Sequence, residues 1–220
     1  MTKKDLLSRR KFLKRTGMVL GGSAVACAGL AYFGMQTPSS VLFPERVCQA
    51  EGEKRTLICY ESKCGATAEV AAQIHQELCV AGLSADLVRA ANFESLEGYD
   101  SAIFGTPVYM GKLINGILKA AERFASIAPS PTSAVFALGL TMREDTTETR
   151  EEMMAYLQPL SDILAPVSVG LYGGRISLDT LPPLYRTFSK ADEDGILTEG
   201  DFRNWDQISQ WAGSLAAKLV

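Results

Sequence analysis

From Arg55 to the end of the chain, short apolar runs alternate with longer stretches of helical periodicity. That alternation constrains the fold of the 220-residue sequence more than any other feature. The runs are Thr56–Glu61, Ala85–Val88, Tyr99–Thr106, Ala134–Leu140 and Pro166–Tyr172. They have strand length and are apolar at consecutive positions, which marks strands buried on both faces. Between the first two, Thr67–Ala81 carries Val70, Ile74 and Leu78 at four-residue steps, one face of a helix. Ile114–Ala125, Thr146–Leu164 and Phe202–Leu219 read as further helices. In the last, Trp205, Ile208, Trp211, Ala212 and Leu215 share a face. Buried strands separated by helices require a parallel sheet covered on both sides and joined by right-handed crossovers. The expected domain is therefore a doubly wound α/β fold over residues 55–220, with a five-stranded parallel sheet and helices on both faces.

The first 35 residues stand outside this pattern. Ser8-Arg9-Arg10-Lys11-Phe12-Leu13-Lys14 matches the twin-arginine export consensus, and an uncharged, Gly- and Ala-rich stretch follows from Thr16 to Met35. Left uncleaved, that stretch is about long enough to span a bilayer and serve as an anchor. Residues 36–54 read as a linker, with Pro38, Ser39, Ser40 and Pro44 ahead of Glu51, Glu53 and Lys54. Twin-arginine export carries folded proteins, so a noncovalent cofactor can be inserted before transport. It places the domain in the periplasm or on the outer face of the cytoplasmic membrane, where disulfides are permitted. Ala24-Val25-Ala26-Cys27 loosely fits a lipoprotein cleavage box, and Cys48-Gln49-Ala50 suits ordinary cleavage before Glu51. The net charge of −3 divides into +6 over residues 1–35 and −9 over the remainder. An acidic body argues against nucleic acid and suits a partner with a basic face.

Chemistry concentrates in Ile58-Cys59-Tyr60-Glu61-Ser62-Lys63-Cys64-Gly65-Ala66-Thr67. A strand ends, a hydroxyl-bearing turn follows and a helix begins, an arrangement that turns backbone N–H groups toward an anion. Ser62 and Thr67 add hydroxyl donors, and Gly65 permits close backbone approach. Two other phosphate motifs fail. No G-x-G-x-x-G is present. Gly105-Thr106-Pro107-Val108-Tyr109-Met110-Gly111-Lys112-Leu113 has one residue too many for a Walker A loop, and Leu113 where Ser or Thr would hold the metal.

The segment Tyr60, Ser62, Gly65, Thr67 resembles the flavodoxin FMN-phosphate signature, aromatic-x-Ser/Thr-x-x-Gly-x-Thr. Thr106-Pro107-Val108-Tyr109-Met110-Gly111, after the third strand, resembles the flavin-contacting loop of that family. The resemblance implies strand order 2-1-3-4-5, with FMN at the switch point between strands one and three. It implies a phosphate held by Ser62, Lys63, Cys64, Gly65, Ala66 and Thr67, and Tyr109 stacked on the isoalloxazine ring. Met110 and Gly111 would neighbour the ring edge, and Gly139, Leu140 and Thr141 would supply the loop on the other side. Gly170–Ile176, Asp201–Trp205 and Trp211-Ala212 are similar to the flavodoxin subfamily that includes menaquinone-dependent protoporphyrinogen oxidase. In its porphyrinogen-active members the stretch before the final helix is longer, basic and apolar. Here Ser177–Gly200 is short and acidic at Asp192, Glu193 and Asp194.

Other residues read more plainly. His75 is the only histidine and reads as a surface residue, which leaves no Ser-His-Asp triad and no multi-histidine metal site. Lys190–Asp201 imitates a calcium loop, but Lys190 stands at the first ligand position and Asp201 at the twelfth, so it reads as a solvated acidic loop. No metal site is expected. Cys59 and Cys79 read as core residues, and Cys64 as a small loop residue or a thiol of lowered pKa. A disulfide from Cys48 is open, since spacing does not fix one. Three functions follow: an FMN electron carrier between redox partners, an FMN oxidoreductase linked to quinone, or a flavin-free binding protein on the same fold.

Overall fold

The computed structural model describes residues 37–50, 54–93, 98–127, 131–183, 186 and 198–219. The twin-arginine segment, Cys27 and residues 190–197 of the acidic loop lie outside them. The chain divides into two compact units, one of residues 1–38 and 176–199 and one of residues 39–175 and 200–220. In the smaller unit, Thr180 and Leu181 donate backbone N–H groups to the Ser177 carbonyl at 3.1 Å.

The larger unit holds the sheet. Its strands are β1 (Arg46–Cys48), β2 (Arg55–Tyr60), β3 (Ser84–Arg89), β4 (Ser101–Pro107), β5 (Thr132–Gly139) and β6 (Ser168–Gly173). They lie in the order β1-β3-β2-β4-β5-β6. All pair in parallel except β1, which runs antiparallel to β3 with Val47 opposite Asp86. Without β1 the order is 2-1-3-4-5, the arrangement that the flavodoxin resemblance implied. The additional strand falls within the segment read as linker. Three residues at a sheet edge, exposed or half-buried, offer no alternation to detect.

Among the described residues four α-helices cover the sheet: α1 (Ala66–Val80), α2 (Asn115–Ala125), α3 (Thr147–Leu164) and α4 (Trp205–Leu215). Alternate strand residues serve opposite faces. Ile58, Tyr60, Ile103 and Phe136 pack with Ile74 and Leu78 of α1 and Ile208 and Leu215 of α4. Leu57, Cys59, Phe104 and Val135 pack with Ile117 and Phe124 of α2 and Met153 and Leu157 of α3. Burying each such side chain contributes roughly 1.5–3 kcal/mol, which outweighs any single helix propensity. Close packing shows at Gly105, where an added β-carbon would lie 2.1 Å from Phe136 Cζ.

Two residues depart from their sequence reading. His75 is only 5% exposed, with Nε2 3.1 Å from the Ala85 carbonyl oxygen, and so is not a surface histidine. It follows Ala71 by four positions and precedes Leu78 by three, so the buried arc of α1 is wider than the Val70–Ile74–Leu78 line and includes it. Cys79 is not a free core thiol; it forms a disulfide with Cys48. That bond ties β1 to the last turn of α1. Cys59 is fully buried, as expected.

Candidate functional site

The first site loop joins β2 to α1. Gly65 is the N-cap residue of α1 at φ 86°, the left-handed region in which glycine carries no steric cost. Its N–H donates to Ser62 Oγ at 3.2 Å, which folds the turn back on itself. The helix ends are served unequally. Thr146 and Thr149 form a capping box on α3, and Asn204 Oδ1 accepts from the Gln207 N–H on α4. Near the start of α2, Glu61 Oε2 lies 3.0 Å from where a β-carbon on Gly116 would sit, a negative charge by that helix's positive end. No side-chain hydrogen bond caps α1, which leaves its first-turn N–H groups without a side-chain acceptor. Thr67, one residue inside the helix, is 2% exposed. A dianionic phosphate fits this donor set, with amides from a helix start, two hydroxyls and a glycine that keeps the approach open.

The second loop leaves β4, the neighbour of β2. Thr106 is fully buried and its hydroxyl donates to the Pro107 carbonyl at 3.2 Å. Val108 extends the ladder by donating its N–H to the Leu138 carbonyl at 2.7 Å. Tyr109 and Lys112 then exchange backbone hydrogen bonds of 2.9 and 3.1 Å around Met110 (φ 52°) and Gly111 (φ 74°). Both central residues are left-handed, a turn that glycine tolerates and methionine does not favour. Strain of this kind collects at functional sites, and Met110 itself is 62% exposed. The loops meet where Lys63 Nζ stands 4.1 Å from the Tyr109 ring centroid, a cation over an aromatic face.

The third loop, Gly139-Leu140-Thr141, follows β5. An added β-carbon on Gly139 would lie 2.7 Å from Met153 Sδ and 3.6 Å from Val108 Cβ, which sets this glycine against the second loop. The Gly139 carbonyl accepts from the Gly174 N–H at 3.2 Å. All three loops emerge at the carboxyl ends of adjacent strands.

Several residues at these loops escape sequence reasoning. Glu61 is buried and accepts from Ser62 N–H at 3.0 Å and from Arg89 Nε and Nη2 at 3.1 and 3.0 Å, so its charge is spent within the protein. Glu69 sits in the first turn of α1, where a carboxylate would repel a bound phosphate. Two arginines meet it: Arg175 Nη2 at 2.7 Å and Arg203 Nη1 at 2.9 Å. Asp201 binds Arg203 from the other side at 2.6 Å. A carboxylate so close to the loop read from the sequence as a phosphate cradle is itself the signal that a basic partner must exist. Val41, from the segment read as linker, places Cγ1 3.1 Å from where a β-carbon on Gly65 would be.

The loop thiol is not activated. Burial raises the Cys64 pKa above its ordinary value, only partly offset by Lys63 and Arg175. Cys59 is pushed up to about 12 by burial and by the Glu61 carboxylate. Sγ of Cys48 and Cys79 and a ring nitrogen of His75 lie within 4.8 Å of one another, but both sulfurs are committed to the disulfide. A separate cleft of about 160 Å³, lined by Arg143, Tyr172, Phe202 and Asn204 among others, is too small for a flavin and includes no residue of Ser62–Thr67, Thr106–Gly111 or Gly139–Thr141. Among the described residues, no helix is long and apolar enough to cross a membrane.

Residues 57–190 match the family model of the flavodoxin domain. Among solved structures, a short-chain flavodoxin associated with a PDU bacterial microcompartment aligns at TM-score 0.51 and 11% identity, covering 76% of this chain and 99% of its own. A Streptococcus pneumoniae TIGR4 flavodoxin aligns at 0.45 and 20% identity, covering 74% and 99%. A Fusobacterium nucleatum flavodoxin bound to flavin mononucleotide aligns at 0.47 and 12%, covering 76% and 99%. No curated protein matches the chain.

Proposed function

The chain belongs to the flavodoxin domain family, and from that premise we propose that it is an exported FMN-binding redox protein that carries electrons between partners. The observation that carries this reading is the uncapped start of α1 with Ser62, Gly65 and buried Thr67, facing the Tyr109–Gly111 turn across neighbouring strands. Backbone amides from Ser62 to Thr67 and the two hydroxyls would hold the phosphate. Tyr109, Met110 and Gly111, with Gly139, Leu140 and Thr141, would border the ring. FMN supplies one- and two-electron transfer when bound, and the chain supplies its placement and surroundings. The acidic body, −9 over residues 36–220, disfavours further negative charge near the ring and suits a basic partner protein.

Export rests on Ser8–Lys14, and the Cys48–Cys79 disulfide supports an oxidising destination. Cleavage before Glu51 would remove β1 and half of that disulfide, which favours a mature chain that retains them. A second reading, an FMN oxidoreductase of the quinone-linked protoporphyrinogen type, draws on the likeness of Gly170–Ile176 and Asp201–Trp205 to that subfamily. Turnover with porphyrinogens and quinones distinguishes it from the carrier.

The test is titration of apoprotein with FMN and riboflavin, for wild type and Thr67→Val. Losing one hydroxyl bond to a charged phosphate costs roughly 1.5–3 kcal/mol, about tenfold or more in FMN affinity. Riboflavin has no phosphate, so its affinity should hold. Equal losses for both ligands would remove the phosphate from this loop.

A further inference from the structure

We propose that Arg175 is a phosphate-binding residue that selects the phosphorylated flavin, a cationic contact added to the amides and hydroxyls of the loop. The inference rests on the FMN reading and deepens it.

Arg175 follows Gly173-Gly174 at the carboxyl end of β6, far from the phosphate loop in sequence. Spatially it is adjacent. A β-carbon added to Gly65 would lie 3.9 Å from Arg175 Nη2, and 3.9 Å from Glu69 Oε1. The guanidinium therefore stands over the glycine that opens the approach to the start of α1. Its charge reaches the loop, since Arg175 acts to lower the Cys64 pKa against the larger effect of burial.

The way Arg175 is held fits a ligand-facing role. Nη1 donates to Glu69 Oε2 at 2.9 Å and Nη2 to Oε1 at 2.7 Å, a two-point contact that fixes the plane of the guanidinium. A guanidinium has five N–H groups, and those two contacts leave donors for a second anion. Glu69 is shared with Arg203, whose side chain is 2% exposed and bound as well to Asp201. The Arg175 side chain retains 22% exposure, open to an incoming group. Arg203 is thus the buried anchor and Arg175 the outward cation. The pair also neutralises Glu69, whose carboxylate would otherwise oppose a phosphate at the first turn of α1. Thr67 lies buried at the same helix start, its hydroxyl within the loop that Arg175 overlooks.

Two roles must be separated: direct donation to the phosphate, and neutralisation of Glu69. Apoprotein of wild type, Arg175→Met, Glu69→Gln and the double variant is titrated with FMN and riboflavin by flavin fluorescence, with a thermal melt of each. Direct contact predicts that Arg175→Met weakens FMN by about tenfold to a hundredfold and leaves riboflavin within about twofold. Glu69→Gln should hold or tighten FMN, and Arg175→Met/Glu69→Gln should remain at least about tenfold weaker than Glu69→Gln alone. The gain in FMN affinity as pH rises through the second phosphate ionisation near 6 should flatten without Arg175. If the double variant binds FMN as well as Glu69→Gln, Arg175 only neutralises and the proposal is overturned. If Arg175→Met loses both ligands alike, Arg175 is a scaffold residue and the proposal is again overturned. Wild-type protein that binds neither ligand would overturn the flavin reading itself.

Discussion

Breaking the Cys48–Cys79 disulfide should destabilise the domain substantially. The bond closes a loop across 31 residues that contains β2, the phosphate loop and most of α1. Constraining a loop of that length in the unfolded chain stabilises the folded state by about 3.7 kcal/mol on the chain-entropy estimate. For a domain of this size that corresponds to a melting temperature roughly 7–15 °C lower. Reduction also frees β1, which among the described residues pairs with β3 alone. The assay compares thermal and urea melts of oxidised protein, protein under reductant, Cys48→Ser, Cys79→Ser and the double variant. The two single variants and the double should coincide with the reduced wild type, because each removes the same bond. Oxidised and reduced melts that superimpose would refute the reasoning. So would single variants whose losses add in the double.

Gly105→Ala should cost about 1–3 kcal/mol by overpacking, since its β-carbon would meet the Phe136 ring; urea melts should show part of the loss recovered in Gly105→Ala/Phe136→Leu. Burial holds the His75 pKa below 6.5, so the unfolded chain takes up a proton near pH 6.5 that the folded protein resists. The stability from neutral His75 is therefore complete above about pH 6.5 and lost as pH falls toward the folded value, and urea melts of His75→Gln between pH 7.5 and 5 should lack that acid-side loss. Replacing Arg9 and Arg10 with Lys should leave the precursor in the cytoplasm on fractionation; normal export would refute the twin-arginine reading.

Features written in consecutive residues were legible from the sequence. The five parallel strands are apolar runs, and burial on both faces admits no polar alternation to blur them. The turn from β2 into α1 was legible because Ser62, Gly65 and Thr67 fall within a few residues of one another between an apolar run and a helical one. What escaped was set by tertiary proximity. β1 is three residues long and takes its place from pairing with β3. His75 is buried because the helix face toward β3 is broader than a four-residue step suggests, and Cys79 found its partner through the same packing. Arg175 lies more than a hundred residues from Glu69, and only the fold brings them together. The carboxylate at position 69, misplaced beside the proposed phosphate site, was the single local clue.

The central claim is the bound cofactor, and one measurement reaches it directly. The full chain is purified from cells with ample flavin, its visible spectrum is recorded, and the protein is then denatured and its small molecules identified. The account predicts a yellow protein that releases FMN in about one-to-one ratio. Release of FAD, or a colourless protein that FMN cannot reconstitute, would contradict it.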